Sequence, residues 1–395
     1  MRILILSFYY QPDLCAGCFR ATSFVKALQR HLTQEDAIEV VTTFPNRYLS
    51  FRRDTVDCEQ DGNVTIKRVR IPGHRSGFFD QTIAFGHYFF GALRYVRRRD
   101  YDLVFATSSR LFTAFLGAVI ARRKMLPLYL DIRDIFVDTM RSVLKNPVLR
   151  AGIPFFGAVE RYTIRQATKV NLISPGFAPY FKKRYDRQFL FFSHGIDETF
   201  QDFTLGASEA DAGDKKKFLY AGNIGEGQGL EKIVPAIAAT HPGIEFTVLG
   251  DGGRKEALAD AARGLSNVRI LPPVGRDKLR EYYAHSDVLF LHLNDCAAFE
   301  KVLPSKIFEY VATFKPIVAG INGYARSFLQ ENVPDSLIFD SCDVKNFSKK
   351  YEHFSGRVDV ERRRNFIARF FRDAIMDQMA ESFLAMVDRQ DKREK

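Results

Sequence analysis

Between Phe299 and Glu331 the chain reads FEKVLPSKIFEYVATFKPIVAGINGYARSFLQE. Pro304 suits the first position of a helix, where its missing N–H costs nothing. Ser305 and Lys306 then fall in the first turn, whose free N–H groups and dipole attract anions. Glu309 follows one turn on, on the same side. A carboxylate there cannot hold a phosphate, but it accepts hydrogen bonds from a sugar diol. One helix start is therefore able to take a diphosphate and a ribose together. A capped helix with an i, i+3 ion pair accounts for the same residues equally well. The helix should end before Lys315–Pro316, and PIVAGI reads as a buried strand closed by Asn322–Gly323.

A second set lies in the first half. PLYLDIRDIFVD puts Asp131, Arg133 and Asp134 at a strand end, where open α/β sheets bind ligands. A carboxylate there can orient or deprotonate a hydroxyl. For each residue taken singly, the plainer reading is an Asp–Arg pair that fixes the strand end and caps the next helix.

The elements that would position these residues alternate along the chain. RILILS is an all-apolar strand of a covered parallel sheet. It runs through Gly17 into a helix over about Phe19–Leu32, in the order strand, glycine turn, helix. A lone glycine there is more commonly a plain turn. IEVVTTF, DLVFATSS, KVNLIS and FLFFS read as further strands, and VTIKRVRIP as an alternating edge strand. ETFQDFTLGASEADAGDKKK has few apolar residues and reads as a linker over 198–217. The second half repeats the alternation, with KFLYAGNIG, IEFTVLGDGG, NVRILPPVG and DVLFLHLND as strands. Their C-terminal loops all feed one sheet edge, where a ligand should sit. One helix or a kinked pair over about Val360–Met386 closes the chain. The reading gives 1–197 as a first domain, 218–374 as a second, and 375–395 as a crossover helix returning to the first.

Composition narrows the function classes. The 395 residues suffice for two cores. No apolar run reaches the roughly 18–20 residues needed to span a bilayer, and the N-terminus lacks the cleavage region of a signal peptide. Five scattered cysteines fit a reducing cytoplasm. Cys15 and Cys18 have metal-like spacing without a second pair or a histidine partner, so no metal site is expected. A net charge of +11 calls for an anionic partner. No nucleic-acid motif is present, which leaves a phosphorylated substrate or a membrane surface. The stretch 78–99, rich in Phe and Tyr and ending in an arginine cluster, can rest on the inner-membrane surface, or be a core helix with charge at its C-terminus.

PSKIFEY, followed by a short helix and KPIVAG, resembles the nucleotide-sugar segment of retaining GT-B glycosyltransferases of family 4. The likeness is strongest to the branch that builds bacterial surface polysaccharides, including the fucosamine-transferring type. Glu309 matches the second glutamate of that family's E-x7-E fingerprint; Lys301 stands at the first, with Glu300 one place off. YAGNIGEGQGLEKIV, carrying Gly222, Asn223 and Gly225, resembles the family's diphosphate loop, with Gln228 where a lysine is usual. VLGDGG, with Gly250 and Asp251, is similar to the loop beside the donor sugar. PPVGR, with Val274 and Arg276, is similar to the segment that reads the base.

The resemblance implies two Rossmann-like α/β domains facing across a cleft, with the last helix crossing back. It implies transfer, with retention, from a UDP-sugar to a hydroxyl of a glycan or polyprenyl-diphosphate-linked acceptor. Lys306 or Lys301 would stand beside the departing diphosphate, Gly17 would face the donor from the first domain, and Asp131, Arg133 and Asp134 would lie on the acceptor side. No D-x-D is present, so positive side chains would replace a metal, and no cofactor is expected beyond the donor. A GT-B-like nucleotide-sugar epimerase and a membrane-associated scaffold without activity are the alternatives. A dehydrogenase is disfavoured, since no G-x-G-x-x-G is present.

Overall fold

The structure is a computed structural model that describes residues 1–46, 55–72, 78–108, 111–143, 147–200 and 215–387. Parts of the sequence-predicted loops at 46–54 and 73–80, and most of the linker, lie outside the described residues. Two compact units form: Met1–His194 with the segment from Arg372 onward, and Gly195–Phe371.

The first unit is built on β1 (Arg2–Leu6), α1 (Ala16–His31), β2 (Ala37–Thr43), β3 (Cys58–Asp61) and β4 (Val64–Val69). It continues with α2 (Phe78–Val96), β5 (Leu103–Thr107), α3 (Leu111–Lys124) and β6 (Leu128–Ile132). Three short helices follow, α4 (Phe136–Val143), α5 (Pro147–Ala151) and α6 (Ile153–Gln166), then β7 (Lys169–Leu172) and α7 (Ala178–Lys182). The strand order is β3-β4-β2-β1-β5-β6-β7. All neighbours are parallel except the β3–β4 pair.

The apolar runs of β1, β5 and β6 follow from burial on both faces. Leu6, Ala106 and Leu128 meet α3 at Gly117, while Ile3, Ile5, Phe105 and Tyr129 face the opposite layer. The order reverses at β1, between β2 and β5. At such a switch point the loops beyond the strand ends part and leave a crevice.

The second unit comprises β8 (Lys216–Asn223), α8 (Leu230–Thr240), β9 (Ile244–Asp251), α9 (Lys255–Ala261), β10 (Val268–Leu271) and α10 (Arg276–Ala284). It goes on with β11 (Val288–His292), α11 (Lys306–Ala312), β12 (Ile317–Gly320), α12 (Gly323–Asn332), β13 (Leu337–Phe339), α13 (Val344–Tyr351) and α14 (Val360–Arg369). Its parallel sheet runs β10-β9-β8-β11-β12-β13, reversing at β8. The last helix, α15 (Arg372–Leu384), belongs to the first unit. It lies with α1 on one sheet face, burying Met376, Met379 and Phe383 against Phe24, Phe105 and Tyr129.

Two sequence expectations change. The alternating strand β4 is not the edge; antiparallel β3 covers it. FLFFS contributes one bridge, Leu190 to Asn171, in place of a strand. Of the two readings for the stretch after Val360, the structure has the pair, broken at Phe370–Phe371 into α14 and α15.

Candidate active site

In the second unit the switch point brings the end of β8 beside α11. α11 begins at Lys306, later than its sequence suggests, so Pro304 lies two residues outside it and Ser305 is its N-cap. The Ser305 hydroxyl makes no capping hydrogen bond. The first turn is tight, with Ile307 and Phe308 N–H bonded to the carbonyls of Pro304 and Ser305. The positive character of this segment therefore rests on the lysine more than on a long helix.

The Lys306 ammonium sits over the end of β8, 5.6 Å from the Tyr220 ring centroid. A Cβ on Gly222 would run into Lys306 Cε and Nζ. Gly222 has φ +152°, a conformation that β-carbon residues rarely adopt. On the neighbouring strand its partner Gly250 approaches so closely that a Cβ there would strike the Gly222 carbonyl. Two facing glycines thus open the strand ends, and the lysine fills the space on one side. Burial pulls the ammonium below the usual lysine range, while Glu309 opposes the shift. A cation held where hydration is reduced interacts strongly with an incoming anion.

Glu309 lies one turn beyond, half-buried. The Tyr283 hydroxyl, on α10, donates to Glu309 Oε2 at 3.2 Å. Burial first, and then Glu309, push the Tyr283 phenol well above its usual range, so it remains a donor. One carboxylate oxygen is oriented by the protein. Tyr283 carries no motif, and only the fold brings it to Glu309.

The glycine loop 223–229 is closed by side chains. Gln228 Oε1 accepts from Asn223 Nδ2 at 3.0 Å and from the Gly225 N–H at 3.2 Å. Asn223 also crosses so near Gly225 that a Cβ there would meet its amide. Two further residues hold this loop, and motif reading missed both. Asn294 Nδ2 donates to the Glu226 carbonyl at 2.9 Å, and its Oδ1 accepts from Lys232 Nζ at 2.7 Å. His292 Nδ1 lies 2.6 Å from the Gln228 carbonyl, and its Nε2 accepts from the Cys342 N–H at 2.9 Å. Those partners place the imidazole proton on Nδ1. Burial lowers the ring to about 4. Asp251 Oδ1 accepts from the Gly252 N–H, closing the neighbouring loop.

Two predicted residues also have protein partners. Arg276 Nη1 pairs with Asp197 Oδ1 at 2.6 Å and donates to Thr199 at 2.9 Å, which braces the start of the unit. Lys301 Nζ donates to the Ala297 carbonyl at 3.1 Å, within a short turn. Val274 packs half-buried against the core, leaving its backbone as the candidate contact.

The first unit carries the other set. Asp131 is 1% exposed. Both its oxygens are taken: Arg20 Nε at 2.8 Å and Nη2 at 3.0 Å, and Asn171 Nδ2 at 2.7 Å. Burial would raise this carboxyl, but Arg20 overrides it and holds it below the usual range. Arg20 also donates to the carbonyls of Phe192 and Ser193. Asp131 is therefore a structural ion pair joining β6 to α1, and the sequence expectation that it handles an acceptor hydroxyl is corrected.

Gly17 lies in the first turn of α1, not before it. A Cβ there would stand 2.7 Å from Arg133 Nη1. Arg133 Nε and Nη1 are buried and have no hydrogen-bond partner among the described residues. Burial, then Arg133, Arg20 and Arg372, depress the His194 imidazole well below its usual value. A helix start, a close-packed guanidinium and a neutral histidine make this edge receptive to an anionic or hydroxyl group. Asp134 is exposed at the same strand end.

Comparison with known proteins agrees with this architecture. Residues 21–186 match the glycosyl transferase 4-like domain, and residues 204–369 match glycosyl transferases group 1. A stretch of 101 residues is 37% identical to a protein of Escherichia coli (strain K12) carrying the name colanic acid biosynthesis glycosyl transferase WcaI. The match spans 25% of this chain and 25% of that relative. Among solved structures, sucrose-phosphate synthase from Thermosynechococcus elongatus superimposes with a TM-score of 0.76 at 14% identity, over 98% of both chains. Anabaena Alr3699/HepE in complex with UDP and glucose gives 0.68 at 14% identity, over 98% of this chain and 99% of that one. WaaG, a glycosyltransferase involved in lipopolysaccharide biosynthesis, gives 0.67 at 14% identity, over 97% and 99%. Two glycosyl transferase models thus match the two halves of the chain in order, and the GT-B fold, two Rossmann-like α/β units, is shared across nearly the whole length.

Proposed function

We propose that the chain transfers a sugar, with retention of anomeric configuration, from a UDP-sugar to a hydroxyl of a glycan or polyprenyl-diphosphate-linked acceptor. The setting is cell-surface polysaccharide synthesis, in the family 4 branch that includes fucosamine transfer. The observation that carries the reading is the triad at α11: a desolvated Lys306 against Gly222, a half-buried Glu309, and Tyr283 orienting it.

In this reading Lys306 faces the diphosphate and stabilises the charge that develops as the nucleotide departs. Ser305, after Pro304, offers its hydroxyl and N–H to the same group. Glu309 accepts from the ribose diol with its remaining lone pairs. The loop carrying Gly222, Asn223, Gly225 and Gln228 presents backbone N–H groups to phosphate. Gly250 and Asp251 lie toward the sugar. Lys306 supplies the charge that a divalent cation would otherwise bring. In the first unit Arg133, Asp134 and the α1 start at Gly17 serve the acceptor side. The HepE complex with UDP and glucose and the colanic-acid name of the E. coli relative support the donor and pathway classes.

The test is a thermal-shift screen of UDP, GDP, ADP and CMP on wild type and Glu309→Gln, followed by donor turnover with and without EDTA. Stabilisation by UDP in wild type, reduced in Glu309→Gln, and EDTA-insensitive turnover support the reading. Absence of stabilisation by every nucleotide would instead favour a scaffold. Donor isomerisation without an acceptor would favour an epimerase.

A further inference from the structure

The sheet of the first unit is covered on one face by α1 and α15 and on the other by α2, α3 and α6. The reason is topological. The β4→β5, β5→β6 and β6→β7 crossovers all run in one direction along the sheet, opposite to β1→β2, and right-handed connections then set their helices on the other face. Each helix ends shortly before the strand it feeds, so the three run side by side with their C-termini at one edge.

Their outward stripes share one pattern. On α2 it is Ile83, His87, Phe90 and Arg94, running on to Arg97, all exposed. On α3 it is Phe112, Phe115, Val119 and Arg122; on α6 it is Phe155, Ala158, Tyr162 and Arg165. Each spacing of three and four keeps these residues on one helix face. Phe90 is 71% exposed and Phe155 61%, which is unusual for large rings.

The rings are continuous from helix to helix. Phe90 meets Phe89 at 5.6 Å, Phe89 meets Phe115 at 6.1 Å, and Phe115 meets Tyr162 at 5.7 Å. Phe112 meets Phe156 at 5.8 Å, and Phe156 meets Phe155 at 5.5 Å. The helix ends add exposed arginines at 94, 97, 122, 123, 161 and 165. No Asp or Glu occurs over 82–99 or 111–124. The one acid of α6, Glu160, is buried and accepts from the Tyr180 and Tyr185 hydroxyls.

We propose that this three-helix face is the surface by which the chain lies on a bilayer rich in anionic lipid. The aromatic belt enters the boundary between head groups and acyl chains, and the arginine band pairs with the phosphates beside it. A contiguous apolar belt flanked by exposed arginines is complementary to such a surface, with its apolar interior and anionic rim. No helix among the described residues is long and apolar enough to cross a membrane, so contact of this kind is interfacial. The proposal extends beyond α2 to α3 and α6, and it stands independently of the donor chemistry above.

The absence of tryptophan from the sequence supplies the experiment. Phe90→Trp and Phe155→Trp variants of the full chain each carry a single reporter; Glu381→Trp, on α15 at the opposite sheet face, is the control. Each is mixed with vesicles of phosphatidylcholine alone or with phosphatidylglycerol, carrying brominated acyl chains. Emission from positions 90 and 155 should shift to the blue and be quenched on the anionic vesicles, and less so at high salt. Position 381 should stay unquenched. Arg122→Gln with Arg123→Gln should lower partitioning about tenfold while leaving thermal unfolding unchanged. Unquenched emission at 90 and 155, equal quenching at 381, or burial of the reporters in a lipid-free dimer detected by light scattering would overturn the proposal.

Discussion

The Lys306 ammonium occupies the side of Gly222 on which any other residue would carry its β-carbon. Strand end and helix start are thereby made for each other. Gly222→Ala must both adopt φ +152° and displace the lysine. We expect a stability loss of about 1–3 kcal/mol, from the strained backbone, and a large fall in kcat/KM. Gly243→Ala is the matched control, since open space surrounds that position, just before β9. Urea unfolding and donor turnover on the two variants check the expectation; equal effects would refute it.

Lys306 also gives a prediction in pH. Burial places its pKa below the usual lysine value. The protonated form is the one that meets a diphosphate, so kcat/KM should fall as pH rises through this lowered value, earlier than for an ordinary lysine. Lys306→Arg cannot lose its charge in this range, and its alkaline limb should disappear even if its maximum is reduced. Lys306→Ala should lose about a hundredfold in kcat or more, the scale on which one charge-stabilising donor acts.

His292 links the glycine loop to Cys342, and its ring must be neutral to do so. An unfolded histidine titrates near 6.5; the folded ring is lowered to about 4. Its contribution is therefore complete above pH about 6.5 and is lost as pH falls toward 4. The span is about 3 kcal/mol at most. Urea midpoints at pH 7, 6, 5 and 4.5 should show a shallower acid decline in His292→Phe than in wild type. The same variant should raise the donor KM more than it changes kcat, because the loop it holds binds and does not react.

Asp131→Asn separates architecture from catalysis. It leaves Arg20 buried without its countercharge, at a cost of about 3–5 kcal/mol. Activity should decline together with the folded fraction, measured by circular dichroism across temperature. A variant that stays fully folded yet inactive would return Asp131 to the reacting groups.

The layer order was legible in the sequence because β1, β5 and β11 carry unbroken apolar runs, and Gly222 and Gly250 could be placed at strand ends and Glu309 on the helix after Pro304. What escaped was set by tertiary neighbours. Nothing local marks Tyr283 as the partner of Glu309, or His292 and Asn294 as the clasp of a loop more than sixty positions away. Asp131 and Asp134 sit three residues apart on a strand end, and spacing alone could not tell which one turns inward to Arg20. Likewise β3 has the polar composition of a loop, and it forms as a strand only because β4 offers it an edge.

The return of α15 to the first unit fixes the order in which the protein can be completed during synthesis. The second unit, Gly195–Phe371, leaves the ribosome whole while its predecessor still lacks Met376, Met379 and Phe383. Until those side chains emerge, Phe24, Phe105 and Tyr129 have no cover on that side. A nascent chain halted after Phe371 would thus hold one finished module and one open greasy surface, a natural target for chaperones.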